Sequence, residues 1–368
     1  MSKRIALSDS NISVNLPREI NTTNYDVITN FEGKLEKYLG EKKHVVALNS
    51  GTSAIHMALI LSGVTEGDEV LCQSFTYVAT ANPILYQKAK PIFIDSELDT
   101  WNICPMYLEQ AILDRIAKGK KPKAIIIVHL YGMPCKIEEI VAIAKKYQII
   151  LIEDAAEALG SMYKEQKCGT FGDFSIFSFN NNKIVSSFGG GALICNSIEE
   201  KEEAIFLATQ AKDKSEYYSH SRLGFNYRMS IVSAFIGTEE LSYLNDYVSA
   251  RIANHQNYES LLDGVKGVSL FKENDDFMKS NHWLSCILID SKASEFTNKS
   301  LRNQFEKDNI ESRPLWKPLH LQPIFKNDTF YGGNVANNLF QKGLCLPSSA
   351  HLTKNDFNRI SNSIQKFL

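Results

Sequence analysis

Short apolar runs alternate with longer segments of helical period from about residue 44 onward. This alternation is typical of a mostly parallel β-sheet covered by helices, because a parallel strand needs a long return before the next strand can pair with it. We therefore predict an α/β fold. The predicted strands are residues 45–48, 69–72, 91–94, 124–128 and 149–152, with helices at 53–62 and 136–148. Residues 174–179 and 191–195 are predicted to pair antiparallel beside a glycine triplet.

The composition changes after a long helical stretch at about residues 230–262. Short strands such as residues 283–289 follow, and a helix near residues 355–367 comes last. We predict a large domain over residues 1–245 and a smaller α+β domain over residues 246–368. About the first 25 residues are expected to form an arm or loop near the functional site.

The charge balance argues against a nucleic-acid partner. The chain has 40 basic and 42 acidic side chains among 368 residues, and the basic residues are scattered. A small-molecule substrate is the better expectation.

The seven cysteines lack the close spacing of a metal site, so we expect no metal and buried, reduced thiols in a cytoplasmic protein. The first twenty residues lack the apolar core of a signal peptide. No apolar run approaches the roughly 18 residues of a membrane span. We therefore expect no membrane association.

Open α/β sheets bind ligands beyond the carboxyl ends of their strands, and two such loops carry suitable residues. The small-residue turn at residues 49–54 opens a helix whose free N–H groups can hold a phosphate, although an ordinary helix cap explains the same residues. Tyr77 follows the next strand and can stack on a planar ring, whereas core packing is the commoner role of such an aromatic residue.

Two further loops carry charged groups. Asp154 ends a strongly apolar strand and Glu157 follows it; a carboxylate there can pair with a protonated pyridine nitrogen or cap a helix. Lys183 lies between a strand and glycines 189–191, where a deprotonated amine can form a Schiff base. A phosphate-binding turn, an aromatic residue, a carboxylate and a lysine, in that order, are the parts of a site for pyridoxal 5′-phosphate (PLP).

These stretches resemble the DegT/DnrJ/EryC1/StrS family of sugar aminotransferases, which are fold-type I PLP enzymes. The matching segments run in family order over most of the chain: residues 49–54, 74–80, 153–160, 178–183 with the following glycines, and 224–228. Residues 313–317 and 345–348 are similar to enzymes that aminate the 4-keto group of a UDP-linked 2-acetamido-4-keto-6-deoxy sugar, which gives precursors of bacillosamine-type sugars. Residues 11–26 depart from the family, since most relatives have a glycine-containing turn and an extra helix there.

Carried over by position, the resemblance implies that Lys183 holds PLP covalently and that Asp154 pairs with the ring nitrogen. It also implies that Tyr77 stacks on the ring and that Glu157 lies near it. The other implied cofactor contacts are the phosphate-binding residues of the same chain, Gly51, Thr52, Ser53 and Ser178, and Asn226, which reaches the phosphate of the neighbouring subunit. A homodimer with shared active sites is therefore implied.

The implied reaction moves an amino group from glutamate to a nucleotide-linked keto sugar, for surface glycan or glycoprotein sugar biosynthesis, with Lys183 moving protons. Arg313 suits a diphosphate and Trp316 suits a base, and His320 lies close to them in sequence. Packing between domains explains these three residues equally well. His129 also follows a strand, where a structural role is as good an explanation.

Three alternatives stay open. A dTDP- or GDP-linked keto sugar could replace the UDP-linked one. A PLP-dependent sugar dehydratase of the same family has a histidine at the position of Lys183, which argues against that activity. A catalytically idle regulatory or binding protein of this fold would fail to bind PLP.

Overall fold

The computed structural model describes residues 3–10, 26–40 and 42–368. Its strands, numbered in chain order, are β1 (His44–Leu48), β2 (Glu69–Gln73), β3 (Lys90–Ile94), β4 (Ala124–Val128), β5 (Ile150–Asp154), β6 (Met162–Tyr163), β7 (Gln166–Lys167), β8 (Phe174–Ser178), β9 (Gly191–Cys195), β10 (Val268–Leu270), β11 (Met278–Lys279), β12 (Ser285–Ile289), β13 (Arg313–Pro314), β14 (Thr329–Tyr331) and β15 (Gly343–Leu346).

The helices are α1 (Asp26–Leu39), α2 (Gly51–Leu61), α3 (Asn82–Tyr86), α4 (Pro105–Ala117), α5 (Ile137–Tyr147), α6 (Ile198–Ala208), α7 (Ile231–Glu240), α8 (Leu244–Leu262), α9 (Asn298–Lys307), α10 (Val335–Lys342) and α11 (Lys354–Gln365). The single helix predicted over residues 230–262 is thus two helices, joined by a 3₁₀ turn at Leu241–Tyr243. Within the described ranges, no helix is both long and apolar enough to span a lipid bilayer.

A large mixed sheet forms the centre of the fold, with strand order β1-β9-β8-β5-β4-β2-β3-β14. The pairs from β8 through β14 are parallel, and β9 runs antiparallel to both of its neighbours. All residues of β4 are buried, because helices cover both faces of the sheet. This burial explains why the β4 sequence is an unbroken apolar run. The predicted α/β class is confirmed.

This topology brings several strand ends to one edge of the sheet. Because β9 is antiparallel to both β1 and β8, these two strands run in the same direction as β5, β4 and β2. Leu48 at the end of β1 and Ser178 at the end of β8 both pair with Gly191 at the start of β9. The loops that follow β1, β5 and β8 therefore meet.

The C-terminal third forms a second sheet, antiparallel throughout, with order β10-β12-β15-β13. β14 leaves this region and pairs with β3 at the edge of the large sheet, and α8 runs across the predicted boundary at residue 245. The division into domains at that boundary stays a prediction. The segment at residues 11–25, for which we predict an arm or loop and a departure from the family, lies outside the described residues.

Candidate active site

A cavity of about 400 Å³ opens at the sheet edge where the loops after β1, β5 and β8 meet. We call it the lysine cavity. Eight of the residues singled out from the sequence line it: Gly51, Thr52, Tyr77, Asp154, Glu157, Ser178, Lys183 and Trp316. Residues that are far apart in sequence are thus brought to one place.

Lys183 ends a tight turn, residues 180–183, in which its backbone N–H donates to the carbonyl of Asn180 at 3.0 Å. We call these four residues the lysine turn. The Lys183 side chain is 13% exposed, and its Nζ lies 3.5 Å from Oε1 of Glu157. The same Nζ lies 4.2 Å from the ring centroid of Trp283, a distance at which an ammonium group is attracted to the ring face. The amine therefore sits inside the cavity and not in solvent.

Asp154 is the last residue of β5, and its carboxylate is held from two sides. Oδ2 accepts a hydrogen bond from Thr80 Oγ1 at 2.7 Å, and Oδ1 accepts one from the backbone N–H of Ala156 at 3.1 Å. Burial raises the pKa of Asp154 above its usual value, and these hydrogen bonds and the charge of Lys183 offset only part of that effect. A second positive charge in the cavity would stabilise the ionised carboxylate.

Glu157 is buried beside the lysine. Its Oε2 accepts a hydrogen bond from the backbone N–H of Tyr131 at 2.7 Å. Burial raises the pKa of Glu157, while the charge of Lys183 and the Tyr131 amide act in the opposite direction. Tyr131 has a left-handed backbone with φ 56°, a conformation that costs free energy in a non-glycine residue. The bond to Glu157 helps to hold that conformation next to the amine.

The amino end of α2 forms one wall of the lysine cavity. Ser50 caps the helix by accepting the N–H of Ser53 at 3.0 Å, and the Ser53 hydroxyl donates to Oδ1 of Asn49 at 2.6 Å. Ser53 is thus used within the turn and does not line the cavity. The first N–H groups of a helix have no acceptor within the helix, so those of Gly51 and Thr52 are suited to an anion.

Close packing explains two glycines at this wall. A Cβ on Gly191 would lie 2.3 Å from the carbonyl carbon of Ser50. One on Gly51 would lie 3.1 Å from Cβ of Ser178. The backbones of the α2 turn and of β9 can approach this closely only without side chains.

Four neighbouring aromatic rings adjoin the lysine cavity. We call them the aromatic wall: Tyr77, Trp316, Tyr131 and Trp283. The ring of Tyr77, which is 51% exposed, lies 4.9 Å from the ring of Trp316. Trp316 is parallel to Tyr131 within 6° at 6.2 Å, and Tyr131 stacks on Trp283 at 6.5 Å. Sequence reasoning missed Tyr131 and Trp283 as parts of the site. The one signal that could have indicated Tyr131 was its position directly after β4, at the ligand-binding edge of the sheet.

Besides Ser53, three further predicted residues lie outside the lysine cavity. Asn226 is exposed, and its side-chain oxygen accepts from Gln210 at 3.2 Å; its predicted role in a neighbouring subunit stays a prediction. His320 is bonded to Ser74 Oγ at 2.7 Å and stacks on Phe330 at 3.9 Å, contacts that give its ring a packing role. Arg313 is exposed and lines a neighbouring cavity.

This second cavity has a volume of about 540 Å³ and shares Asn182, Trp283 and Trp316 with the lysine cavity. Its charged lining residues are Arg313, Lys317 and Glu311. The guanidinium of Arg313 pairs with Oε1 of Glu311 at 2.7 Å. The two cavities lie side by side along the aromatic wall.

Comparison with known proteins decides the family. The family described as the DegT/DnrJ/EryC1/StrS aminotransferase family matches residues 12–365. The chain belongs to this family. It is a PLP-dependent sugar aminotransferase, so the predicted family, fold type and cofactor are confirmed.

Individual relatives cover most of the chain. A putative pyridoxal phosphate-dependent aminotransferase, EpsN of Bacillus subtilis, is 45% identical over 91% of this chain and 86% of its own length. The GDP-perosamine synthase of Escherichia coli O157:H7 is 35% identical over 92% of this chain and 90% of its own. The crystal structure of a family member from Brucella abortus superimposes with a TM-score of 0.85 at 31% identity, over 93% of this chain and 90% of that one.

The lysine cavity of this aminotransferase fits PLP. It offers a buried amine at Lys183, a buried carboxylate at Asp154 that lacks a full positive partner, and the amino end of α2 for a phosphate. These groups come from three loops of the same sheet edge. They have the chemical character that the aldehyde, ring nitrogen and phosphate of the cofactor require.

A buried hydrogen-bond network surrounds Glu153, the residue before Asp154. His129 Nε2 donates to Glu153 at 2.8 Å, and His129 Nδ1 accepts the backbone N–H of Cys135 at 3.1 Å, which fixes the tautomer. Glu153 also accepts from Phe171 N–H and Ser175 Oγ. Although His129, Glu153 and Cys168 lie close enough to hold a metal, these hydrogen bonds occupy the lone pairs that an ion would need. The role of His129 is structural.

Replacing Asp154 with asparagine is expected to stabilise the cofactor-free aminotransferase as the pH rises. Because burial raises the pKa of Asp154, the folded protein binds this proton more tightly than the unfolded chain and loses stability as the pH rises through the folded pKa. Asparagine carries no such penalty. The free energy of unfolding of Asp154→Asn relative to wild type, from urea titrations, should rise from about pH 4 and then level off.

Asp114→Asn is the matched control with the opposite sign. Hydrogen bonds from Lys118 and Tyr331 lower the pKa of Asp114, so this carboxylate adds stability that is lost as the pH falls through its folded pKa. Its variant should therefore lose stability relative to wild type as the pH rises, with the change complete by about pH 5. A flat or falling curve for Asp154→Asn would contradict the electrostatics described for the lysine cavity.

Proposed function

We propose that this aminotransferase moves an amino group from glutamate to C4 of a nucleotide-linked 4-keto-6-deoxy sugar, with a UDP-linked 2-acetamido sugar as the acceptor. The product would serve surface glycan or glycoprotein sugar biosynthesis. The observation that carries the proposal is the position of the Lys183 amine in a cavity that adjoins a second, larger one with Arg313 and Lys317 in its lining. The lysine cavity is suited to the transfer of the amino group, and the second cavity is suited to binding a diphosphate-linked substrate.

The residues of the lysine cavity have separate tasks in this proposal. When bound at these residues, PLP would supply an electron-withdrawing ring that makes transfer of the amino group from donor to acceptor possible. Asp154 would hold a proton at the pyridine nitrogen through its carboxylate. Lys183 would hold the cofactor and then move a proton with its Nζ. Glu157, 3.5 Å from that Nζ, would keep it oriented.

The second cavity supports a large, charged acceptor. Arg313 can present its N–H groups to phosphate oxygens in a planar array, and Lys317 adds a point charge. Trp316 lies between the two cavities, and its Nε1 is buried without a hydrogen-bond partner among the described residues. A buried donor of this kind costs free energy unless a ligand supplies an acceptor. A hydroxyl or acetamido oxygen of the sugar would do so.

Three observations bear on the identity of the acceptor. The resemblance of residues 313–317 and 345–348 favours the UDP-linked 2-acetamido sugar, and Cys345 lines the second cavity. The 35% identity to a GDP-perosamine synthase favours a GDP-linked sugar as the second candidate. A relative from Shigella dysenteriae at 29% identity is named dTDP-4-amino-4,6-dideoxy-D-glucose transaminase. That name supports amination at C4 of a 6-deoxy sugar.

A panel of acceptors tests the reaction. Purified enzyme would be incubated with PLP, glutamate and the 4-keto-6-deoxy forms of UDP-, GDP- and dTDP-sugars, and the products would be weighed by mass spectrometry. We expect the UDP-linked 2-acetamido sugar to gain an amino group in place of its ketone. Lys183→Ala should lose this activity by at least about three orders of magnitude, because it lacks the amine that moves the proton.

Amination of the GDP-linked sugar alone would overturn the choice of nucleotide and leave the transamination proposal intact. Full activity of Lys183→Ala would overturn the proposed role of the lysine. If no acceptor is aminated while glutamate is still converted to 2-oxoglutarate, the proposed class of sugar acceptor is wrong and the use of glutamate as donor stands.

Arg313→Ala tests the role of the second cavity. A charge-assisted contact to a phosphate is worth about 1.5–3 kcal/mol, so KM for the nucleotide sugar should rise about ten- to hundredfold. KM for glutamate should not change, because the donor has no diphosphate. The matched control is Arg4→Ala, which removes a similar exposed pairing, to Glu306 at 3.0 Å, outside both cavities. Equal KM values for Arg313→Ala and Arg4→Ala would exclude Arg313 from substrate binding.

We also propose that the active enzyme is a homodimer in which Asn226 binds the phosphate of the neighbouring site. The exposed side chains of Tyr217, Tyr218 and Leu223 precede Asn226, at 75%, 81% and 80% exposure, and support a protein contact there. An apolar surface of this kind is suited to burial against a second copy.

Mixing two impaired variants tests the shared site. Lys183→Ala and Asn226→Asp should each have little activity, the second because it places a negative charge beside the phosphate. After the subunits exchange, about half of the dimers contain one of each chain, and one of their two sites has both intact residues. The mixture should recover about a quarter of wild-type activity. No recovery after exchange, verified by tagged chains, would show that Asn226 does not act across subunits.

A further inference from the structure

Residues 3–10, which we call the N-terminal arm, bend at Leu7 and Ser8 and lie along the C-terminal region of the chain. Ile5 forms a parallel bridge with Ile310. The carbonyl of Leu7 accepts the N–H of Ser348 at 2.7 Å. The Ser349 hydroxyl donates to Oδ1 of Asp9 at 2.6 Å. The arm is therefore fixed by contacts at both of its ends.

Two hydroxyl groups of the arm donate to the lysine turn. Ser8 Oγ lies 2.9 Å from the carbonyl oxygen of Asn182. Ser10 Oγ lies 3.1 Å from the carbonyl of Asn181 and 3.2 Å from that of Lys183. Because a hydroxyl has a single proton, Ser10 donates to one of these two oxygens at a time. Three consecutive carbonyls of the turn thus face the arm.

A buried arginine determines how Ser8 is oriented. Arg251 is 1% exposed, and it donates to Ser8 Oγ at 3.2 Å and to the carbonyl of Trp283 at 2.6 Å. A guanidinium has donors only, so Ser8 Oγ must accept from it, and the proton of Ser8 is left for the carbonyl of Asn182. Burial lowers the pKa of Arg251 to about 10, which leaves it charged at neutral pH.

The same carbonyl has a second donor that Arg251 also helps to place. Trp283 Nε1 donates to the carbonyl of Asn182 at 2.8 Å, and the ring of Trp283 lies 4.2 Å from Lys183 Nζ. One buried side chain, Arg251, therefore supports both groups that hold Asn182. The position of the amine depends on this arrangement because Asn182 directly precedes Lys183.

We propose that Ser8 and Ser10 are positioning residues for Lys183: through the carbonyls of the lysine turn, they hold its Nζ between Glu157 and the Trp283 ring. The inference rests on the proposed role of Lys183 as the residue that holds PLP and moves a proton. Ser8 also lines the second cavity, whereas Ser10 lines neither cavity, so Ser10→Ala is the variant that separates positioning from substrate binding. Removal of either hydroxyl loosens the turn and displaces the amine, which slows covalent attachment and proton movement. In Ser10→Ala, binding of the nucleotide sugar stays intact.

The test compares Ser8→Ala, Ser10→Ala and the double variant with wild type. Two controls match them: Ser249→Ala removes an exposed hydroxyl that donates to Asn245 within α8, and Arg4→Ala removes an arm contact remote from the turn. Ser10→Thr keeps the hydroxyl and should restore wild-type behaviour. Circular dichroism verifies that each protein is folded, and the single variants replace the double variant if it does not fold.

The first measurement is hydrogen exchange of the cofactor-free proteins, which does not depend on activity. The amide of Lys183 donates to the carbonyl of Asn180 inside the turn, so a looser turn exposes it to solvent. We expect its exchange to quicken at least about threefold in the double variant, with the sheet unchanged. Both controls should match wild type.

The second measurement is the rate at which added PLP becomes attached to Lys183, followed by borohydride reduction and mass spectrometry of the modified peptide. We expect attachment in the double variant to be slower by about tenfold, and kcat of Ser10→Ala to fall with KM for the nucleotide sugar within about twofold. A loss that appears in KM alone in Ser10→Ala would overturn the proposal. So would wild-type exchange and attachment rates in the folded double variant.

The two proposals fail in different ways. If wild-type protein does not attach PLP at Lys183, the proposed function falls and the positioning role falls with it. If wild type attaches PLP at Lys183 and the serine variants do so equally fast, the positioning role alone is wrong.

Discussion

The structure depends on one electrostatic arrangement, a lysine amine buried next to two buried carboxylates. Lys183, Asp154 and Glu157 share a small volume at the sheet edge, and burial raises the pKa of both acids. The lysine and the carboxylates make each other's burial tolerable, since an unpaired buried charge is costly, whereas the two carboxylates repel each other. One ammonium group faces two carboxylates, so the cluster is short of positive charge. A protonated heterocycle is the kind of ligand that such a cluster favours.

The fold makes this arrangement possible through the reversed strand β9. By pairing with both β1 and β8, it places the amino end of α2 and the lysine turn on either side of Gly191. The anion site and the strand that leads to the lysine turn are thereby held by paired backbone of the sheet. The carboxylate of Asp154 comes from β5, the next strand. Side chains that end rigid strands keep their geometry better than side chains in free loops.

The sheet and the main chemical groups were predictable for a physical reason. A strand buried on both faces must be apolar throughout, so β4 was found with its bounds, and β9 likewise. Polar residues directly after such strands stand out because few positions in a core tolerate them. Lys183, Asp154 and the α2 turn are of this kind, and the structure brings them into one cavity.

The parts of the site and fold that the sequence did not predict depend on contacts between distant segments, which leave no local sequence pattern. The stacking of Tyr131 between Trp283 and Trp316 joins residues more than a hundred positions apart. The contact of Ser8 with Asn182 spans 174 positions, and His320 is bonded to Ser74 across 246 positions. Hydrophobic periodicity reports which face of an element is buried, but it does not report what lies against that face. β14 is equally hidden, because a three-residue edge strand has little periodicity of its own.

In the proposed function, the lysine cavity carries the chemistry and the second cavity binds the substrate. The amine, the carboxylates and the α2 turn come from loops of the large sheet, whereas residues 311–317, Phe340 and Cys345 in the C-terminal region supply much of the second cavity. The aromatic wall between them is rigid, since each ring is fixed by its neighbours and the hydroxyl of Tyr131 accepts the backbone N–H of Trp316 at 2.9 Å. Under the proposed function, substitutions at Arg313 or Lys317, which make no contact with the lysine turn in the described residues, can therefore alter which substrate is held without moving the amine. Because interactions with a remote part of a substrate can be changed independently of the reacting groups, a fold of this design can keep one reaction while its acceptor changes.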